Sequence, residues 1–118
     1  MSDCIFCKIA DGAIPADKVY EDDNFLAFHD INPKAKVHVL VIPKKHIPTF
    51  MDIAEEDLPL MAELHKVIQG VARELKIDEK GFRLVNNCKE FGGQEVYHLH
   101  YHILGGEKLT HNGISQKY

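Results

Sequence analysis

The chain has 118 residues, 45% hydrophobic and 27% charged, the profile of one soluble globular domain spanning residues 1–118 with a modest core. Its net charge of −4, from 14 Lys and Arg against 18 Asp and Glu, argues against a general nucleic-acid binder, and no apolar run approaches the ~20 residues needed to span a membrane. Three cysteines exclude a disulfide framework, and Met1-Ser2-Asp3-Cys4 lacks the basic and apolar parts of a secretory leader, so a cytoplasmic protein is expected.

Taken in chain order, Cys4 to Asp11 carries apolar residues at Ile5, Phe6 and Ile9 and stops at Gly12, which predicts a short helix. Val19 to Glu21 and Phe25 to Phe28 read as strands joined by the turn formers Glu21-Asp22-Asp23-Asn24. Val37 to Ile42 is a β-branched apolar run ended by Pro43, the pattern of a central strand. Lys34, Lys36, Lys44 and Lys45 cluster around it and read first as a solvated surface. From Ala54 to Lys76, Leu58, Met61, Leu64, Ile68, Val71, Ala72 and Leu75 recur at three- and four-residue steps, the stripe of one long helix, with Pro59 tolerated in its first turn. His65 flanks that stripe. Phe82 to Val85 predicts a strand, Asn86 to Gly93 a polar loop closed by Gly92-Gly93, and Tyr97 to Leu104 a last strand stopped by Gly105-Gly106. Strands, one long helix, then strands imply an α+β domain: an antiparallel sheet of about five strands packed with one long and one short helix.

The last strand reads His98-Leu99-His100-Tyr101-His102. Alternation on a strand puts the three imidazoles on one face and Leu99, Tyr101 and Ile103 on the other. Two histidines spaced this way can share a zinc ion, but three span about 13 Å, long for a single ion. Divided catalytic roles fit that geometry better, with a merely polar strand face as the bland alternative. Cys4 and Cys7 form a CxxC pair, read in a reducing compartment as a metal half-site or a redox motif; no βαβ pattern follows it to support the latter. Cys88 stands alone.

His98-Leu99-His100-Tyr101-His102-Ile103-Leu104 matches the histidine-triad signature, and the likeness extends over nearly the whole chain. It includes Cys4-Ile5-Phe6-Cys7-Lys8-Ile9, Ile14-Pro15-Ala16, Phe28-His29-Asp30-Ile31 and Leu40-Val41-Ile42-Pro43-Lys44-Lys45-His46. Gly92-Gly93-Gln94-Glu95-Val96-Tyr97 and Gly105-Gly106 complete it. The sequence thus resembles the Hint branch of the histidine-triad (HIT) superfamily, in a bacterial form. The resemblance implies enzymes that bind purine nucleotides and cleave a bond at the α-phosphorus, often to nitrogen, with the sheet continued across a homodimer.

Carried over by position, His100 would be the nucleophile, and His102 and His38 would donate to phosphate oxygens or protonate the leaving group. Asp30 would grip the ribose hydroxyls with Ile31 beside the base. Asn87 would face the phosphate, and Gly93, Gln94, Glu95 and Val96 would wrap it. Cys4, Cys7, His46 and His98 would hold a structural zinc, with no organic cofactor. Glu95 departs from many animal members, which carry serine; a carboxylate there would repel the phosphate or favour a cationic leaving group. Asn86 replaces a residue often apolar in relatives. The tail from Leu109 to Tyr118, with an exposed His111, would meet the leaving group, from the partner subunit in a dimer. The implied activity is hydrolysis of nucleoside phosphoramidates. Dinucleoside polyphosphate hydrolysis, a nucleotide-binding regulator and a metal-binding module are the competing readings.

Overall fold

The computed structural model describes residues 3–110, so the expectation for His111 and the rest of the tail lies outside the described residues. A short helix α1 (Ile5–Ala10) precedes strands β1 (Lys18–Glu21), β2 (Phe25–His29) and β3 (Val37–Pro43). The long helix α2 (Leu58–Glu74) follows, then β4 (Arg83–Val85) and β5 (Tyr101–Gly105). All pairings are antiparallel, in the order β1-β2-β3-β5-β4, so β3 and β5 lie side by side at the centre. The expected α+β architecture is the observed one. Among the described residues no helix is long and apolar enough to cross a membrane.

The central strands are apolar on both faces because both faces are covered. Phe25, Ala27, Val39, Val41, Leu99, Tyr101 and Ile103 pack toward Met61, Leu64, Ile68 and Val71 of α2. Leu26, Phe28, Leu40 and Ile42 on the opposite face pack against Phe6 and Ile9 of α1. Each fully buried side chain of this size contributes about 1.5–3 kcal/mol.

Two sequence expectations shift. The single helix from Ala54 to Lys76 is divided: a 3₁₀ turn at Glu55–Asp57 leads into α2, which begins at Leu58 with Pro59 in its first turn. Asp57 Oδ2 accepts the Ala54 N–H at 2.9 Å, which favours the tight turn over a continuous helix. The last strand starts at Tyr101 and not at Tyr97. His98 and His100 lie just before it, where the chain leaves the ladder and Leu99 N–H donates to Ile47 C=O at 2.7 Å. The alternation of faces nonetheless persists through this segment, with Leu99, Tyr101 and Ile103 in the α2 core. Gly106, at φ +79°, ends β5; a Cβ there would stand 3.0 Å from Val37 Cγ2, so the tight exit requires glycine.

Candidate active site and metal-binding cluster

Phe6, His98 and His100 meet on the α1 side of the sheet, the Phe6 ring standing edge-on to His100 with centroids 5.1 Å apart. His100 is buried, and its Nδ1–H donates to the His98 carbonyl at 2.7 Å. In the neutral ring this leaves the lone pair on Nε2. Burial holds the His100 imidazolium below its ordinary pKa, opposed by the His98 carbonyl and by Asp30, so the ring is kept neutral. His38 on β3 and His102 on β5 are diagonal neighbours across the central pair, which brings His38 Nε2 within 2.9 Å of His102 Nδ1. Burial, then the nearby His100 and His38, push His102 down to about 3. His38 is lowered as well, chiefly by burial and against the pull of Asp30.

These groups line a pocket of about 310 Å³ with Phe6, Asp30, Asn32, Lys34, Leu40, Glu95 and Val96. Asp30 Oδ2 stands 3.5 Å from His38 Nε2. The structure therefore brings together Asp30, His38, Glu95, Val96, His100 and His102. Ile31, Asn87, Gly93 and Gln94 are not among the lining residues. Ile31 is 92% exposed beside Asp30. Gln94 is buried: its Oε1 accepts Lys89 N–H at 2.8 Å, and its Nε2 donates to Pro48 C=O and Val96 C=O at 2.8 and 3.0 Å. Its carboxamide thus fastens the loop from within. Of the four lysines, only Lys34 lines the pocket; Lys44 pairs with Glu21 and Lys45 with Asp57.

Cys4, Cys7, His46 and His98 form a second cluster next to the first. The Cys4 Sγ–His98 Nδ1, Cys7 Sγ–His46 Nδ1 and Cys7 Sγ–His98 Nδ1 distances are 3.3, 3.2 and 3.5 Å. The two Nδ1 atoms are 3.3 Å apart. A tetrahedral ion with bonds of about 2.0–2.3 Å separates its nitrogen and sulfur donors by roughly 3.3–3.8 Å, so the four atoms already sit near the corners such an ion needs. His98 Nε2–H donates to Pro43 C=O at 2.7 Å, which fixes the tautomer and turns the Nδ1 lone pair toward the sulfurs. Burial and the neighbouring Cys4 raise the Cys7 thiol to about 11, so a cation would have to draw the proton off. The donor set fits a metal ion.

Three contributions were invisible to sequence reasoning. Asn86 Nδ2 donates to His100 C=O at 2.9 Å, extending the β4–β5 ladder by one side-chain rung. The Lys34 amide donates to His38 Nδ1 at 3.0 Å. Phe6 supplies a pocket wall; its only signal was an apolar residue between two cysteines.

A HIT domain model matches residues 11–109. The chain belongs to the HIT domain family. A histidine triad protein from Clostridium difficile superposes with a TM-score of 0.90 at 55% identity, over 93% of this chain and 96% of that one. A HIT family hydrolase from Legionella pneumophila Philadelphia 1 gives 0.90 at 50%, over 92% and 97%. Purine nucleoside phosphoramidase from Escherichia coli strain K12 is 43% identical over 93% of this chain and 96% of its own length. This chain is accordingly a HIT-family hydrolase.

Proposed function

We propose that this hydrolase cleaves the P–N bond of purine nucleoside 5′-phosphoramidates, of the adenosine 5′-monophosphoramidate or lysyl-AMP kind, through a nucleotidyl-His100 intermediate. The observation that carries the reading is the Nδ1–H bond from His100 to the His98 carbonyl, beside a pocket large enough for a sugar phosphate. His100 Nε2 attacks phosphorus and the P–N bond breaks. The leaving nitrogen takes the Nε2 proton of His102, which His38 orients, and water then displaces the nucleotide from His100 and returns a proton to His102. Asp30 accepts the ribose hydroxyls, a strong geometry for a carboxylate, with Ile31 against the base. Asn87 and the Gly93-Gln94-Glu95-Val96 backbone face the phosphate. Gln94 contributes through its main chain, because its side chain is bonded inward.

Cys4, Cys7, His46 and His98 hold zinc, which supplies no chemistry and pins α1 to the sheet. The protein acts as a homodimer. The likeness to the E. coli phosphoramidase supports the substrate class.

The test replaces His100 with glycine and measures adenosine phosphoramidate turnover, AMP affinity and zinc content together. Turnover lost with affinity and zinc retained is the expected result. Undiminished turnover removes His100 as nucleophile, and faster cleavage of diadenosine polyphosphates than of phosphoramidates by the native protein moves the substrate class.

A further inference from the structure

Asp30, His38 and His102 each bring a ligand-type atom to within 4.8 Å of the others, so on distance alone they could hold a second cation. Hydrogen bonding argues otherwise. The Lys34 backbone N–H donates to His38 Nδ1 at 3.0 Å, so that nitrogen must carry a lone pair. A neutral imidazole has one N–H, and His38 must place it on Nε2. Nε2 faces two acceptors, His102 Nδ1 at 2.9 Å and Asp30 Oδ2 at 3.5 Å, and both favour a proton there. A metal on His38 Nε2 would need the proton moved to Nδ1, directly against the Lys34 N–H. His102, accepting at Nδ1, carries its own proton on Nε2.

We propose that the backbone amide of Lys34 is a positioning group that locks the tautomers of His38 and His102, so that the chain of hydrogen bonds beside Asp30 holds His102 as an Nε2–H donor and is not a cation site. The donors all point one way: Lys34 N–H to His38 Nδ1, then His38 Nε2–H to His102 Nδ1, which leaves the His102 proton on Nε2. The same turn is bracketed to β3 a second time, since Asp30 N–H donates to His38 C=O at 2.9 Å. Asn32 N–H donates to Asp30 Oδ1 at 2.7 Å, closing the loop. The segment that offers Asp30 to the pocket therefore also sets the proton pattern of the two histidines. Under the proposed phosphoramidate reading, on which this role rests, the lock keeps His102 a donor toward the reacting phosphoryl group and its leaving nitrogen.

The experiment is long-range ¹H–¹⁵N correlation on the ¹⁵N-histidine-labelled full chain, in which protonated and lone-pair ring nitrogens resonate far apart. Native protein is expected to show His38 and His102 both as Nε2–H tautomers. Lys34→Ala, which keeps the amide, is expected to preserve that pattern. Lys34→Pro, which removes the amide proton, is expected to give a mixed His38 tautomer and kcat/KM about a hundredfold below that of Lys34→Ala, the size of a lost general acid. An Nδ1–H tautomer at His38 in native protein overturns the lock whether or not the proline variant folds. So does an unchanged pattern in Lys34→Pro. Selective broadening of His38 and His102 by stoichiometric Mn²⁺ would establish the cation site instead. Because the resonances are read without substrate, an absence of phosphoramidate turnover in native protein counts against the proposed function alone.

Discussion

Removing the zinc proposed for the Cys4–Cys7–His46–His98 cluster should loosen α1, and the expected size follows from how little else holds that helix. Six residues are far below the length at which an isolated helix is stable in water. Ordering their backbone costs about 6–12 kcal/mol. Among them Phe6 and Ile9 are buried, which stabilises by about 3–6 kcal/mol. A Cys4 cap on the Cys7 N–H adds about 1 kcal/mol. The helix is therefore left short by a few kcal/mol. A bound ion at a free concentration about a thousandfold above its Kd supplies about 4 kcal/mol, enough to close the gap.

Stripping the ion with a chelator, or changing Cys7 to serine, should lower the melting temperature by about 10–20 °C for a domain of this size. Amide exchange should rise most over residues 4–11. Phe6 is a wall of the pocket, so KM should increase before kcat falls. Calorimetry on matched samples, with zinc content measured in each, reads the first quantity, and mass-resolved exchange reads the second. A protein proved free of metal that melts at the same temperature, with residues 4–11 equally protected, would refute the reasoning.

Acid should destabilise the fold from about pH 6.5 downward. His102 is neutral in the native state to about pH 3, while the unfolded chain takes up its proton near 6.5. The unfolded state therefore binds more protons across that window, and on the order of 4 kcal/mol of stability is lost as pH falls through it. Urea titrations at successive pH values should show the decline, and His102→Asn should flatten it. Lys76→Gly should stabilise the domain by about 1 kcal/mol in urea, because Lys76 ends α2 at φ +61°, a conformation glycine adopts without strain. Asn86→Leu should cost about 1–2 kcal/mol and lower kcat more than it raises KM, since it strands the His100 carbonyl and loosens the segment that carries the proposed nucleophile; an unchanged kcat would separate Asn86 from catalysis.

Much of the fold was legible because the patterns were local. The α2 stripe, the apolar run of β3 and the turn at Asp22–Asn24 each carry their signal within a few residues, and the structure places β3 and the turn where expected to within a residue and α2 under its stripe, although the helix begins four residues later than Ala54. The start of β5 was misread because alternation continues past the ladder: Leu99 points into the α2 core although its amide is bonded to Ile47 and not to a neighbouring strand. Period reports which face a side chain takes, and the hydrogen-bond partner is a tertiary fact. The same divide runs through the site. Spacing pointed to the three-histidine strand and the CxxC pair, and the family resemblance added His46, His38 and Asp30 to them, whereas the tautomers depend on carbonyls and amides at Pro43, His98 and Lys34 that no residue type reveals. Gln94 shows the converse, since its place in a phosphate-loop motif hid an inward-bonded side chain.

His98 joins the two clusters physically. Its ring presents Nδ1 to the cysteines and anchors Nε2–H on Pro43, while its carbonyl, two bonds along the backbone from Cα, holds the Nδ1–H of His100. Fixing the ring limits the rotation available to that carbonyl, and the carbonyl decides which nitrogen of His100 has a lone pair. On the proposed reading, an ion held by the cysteines would need no contact with substrate to influence the reaction: its lever would be the orientation of one peptide group. The proposed metal and the proposed nucleophile can share a strand end because one would use the side chain of His98 and the other its main chain. Spacing of two serves both, placing the rings of His98 and His100 on one face and the His98 carbonyl within reach of the second ring.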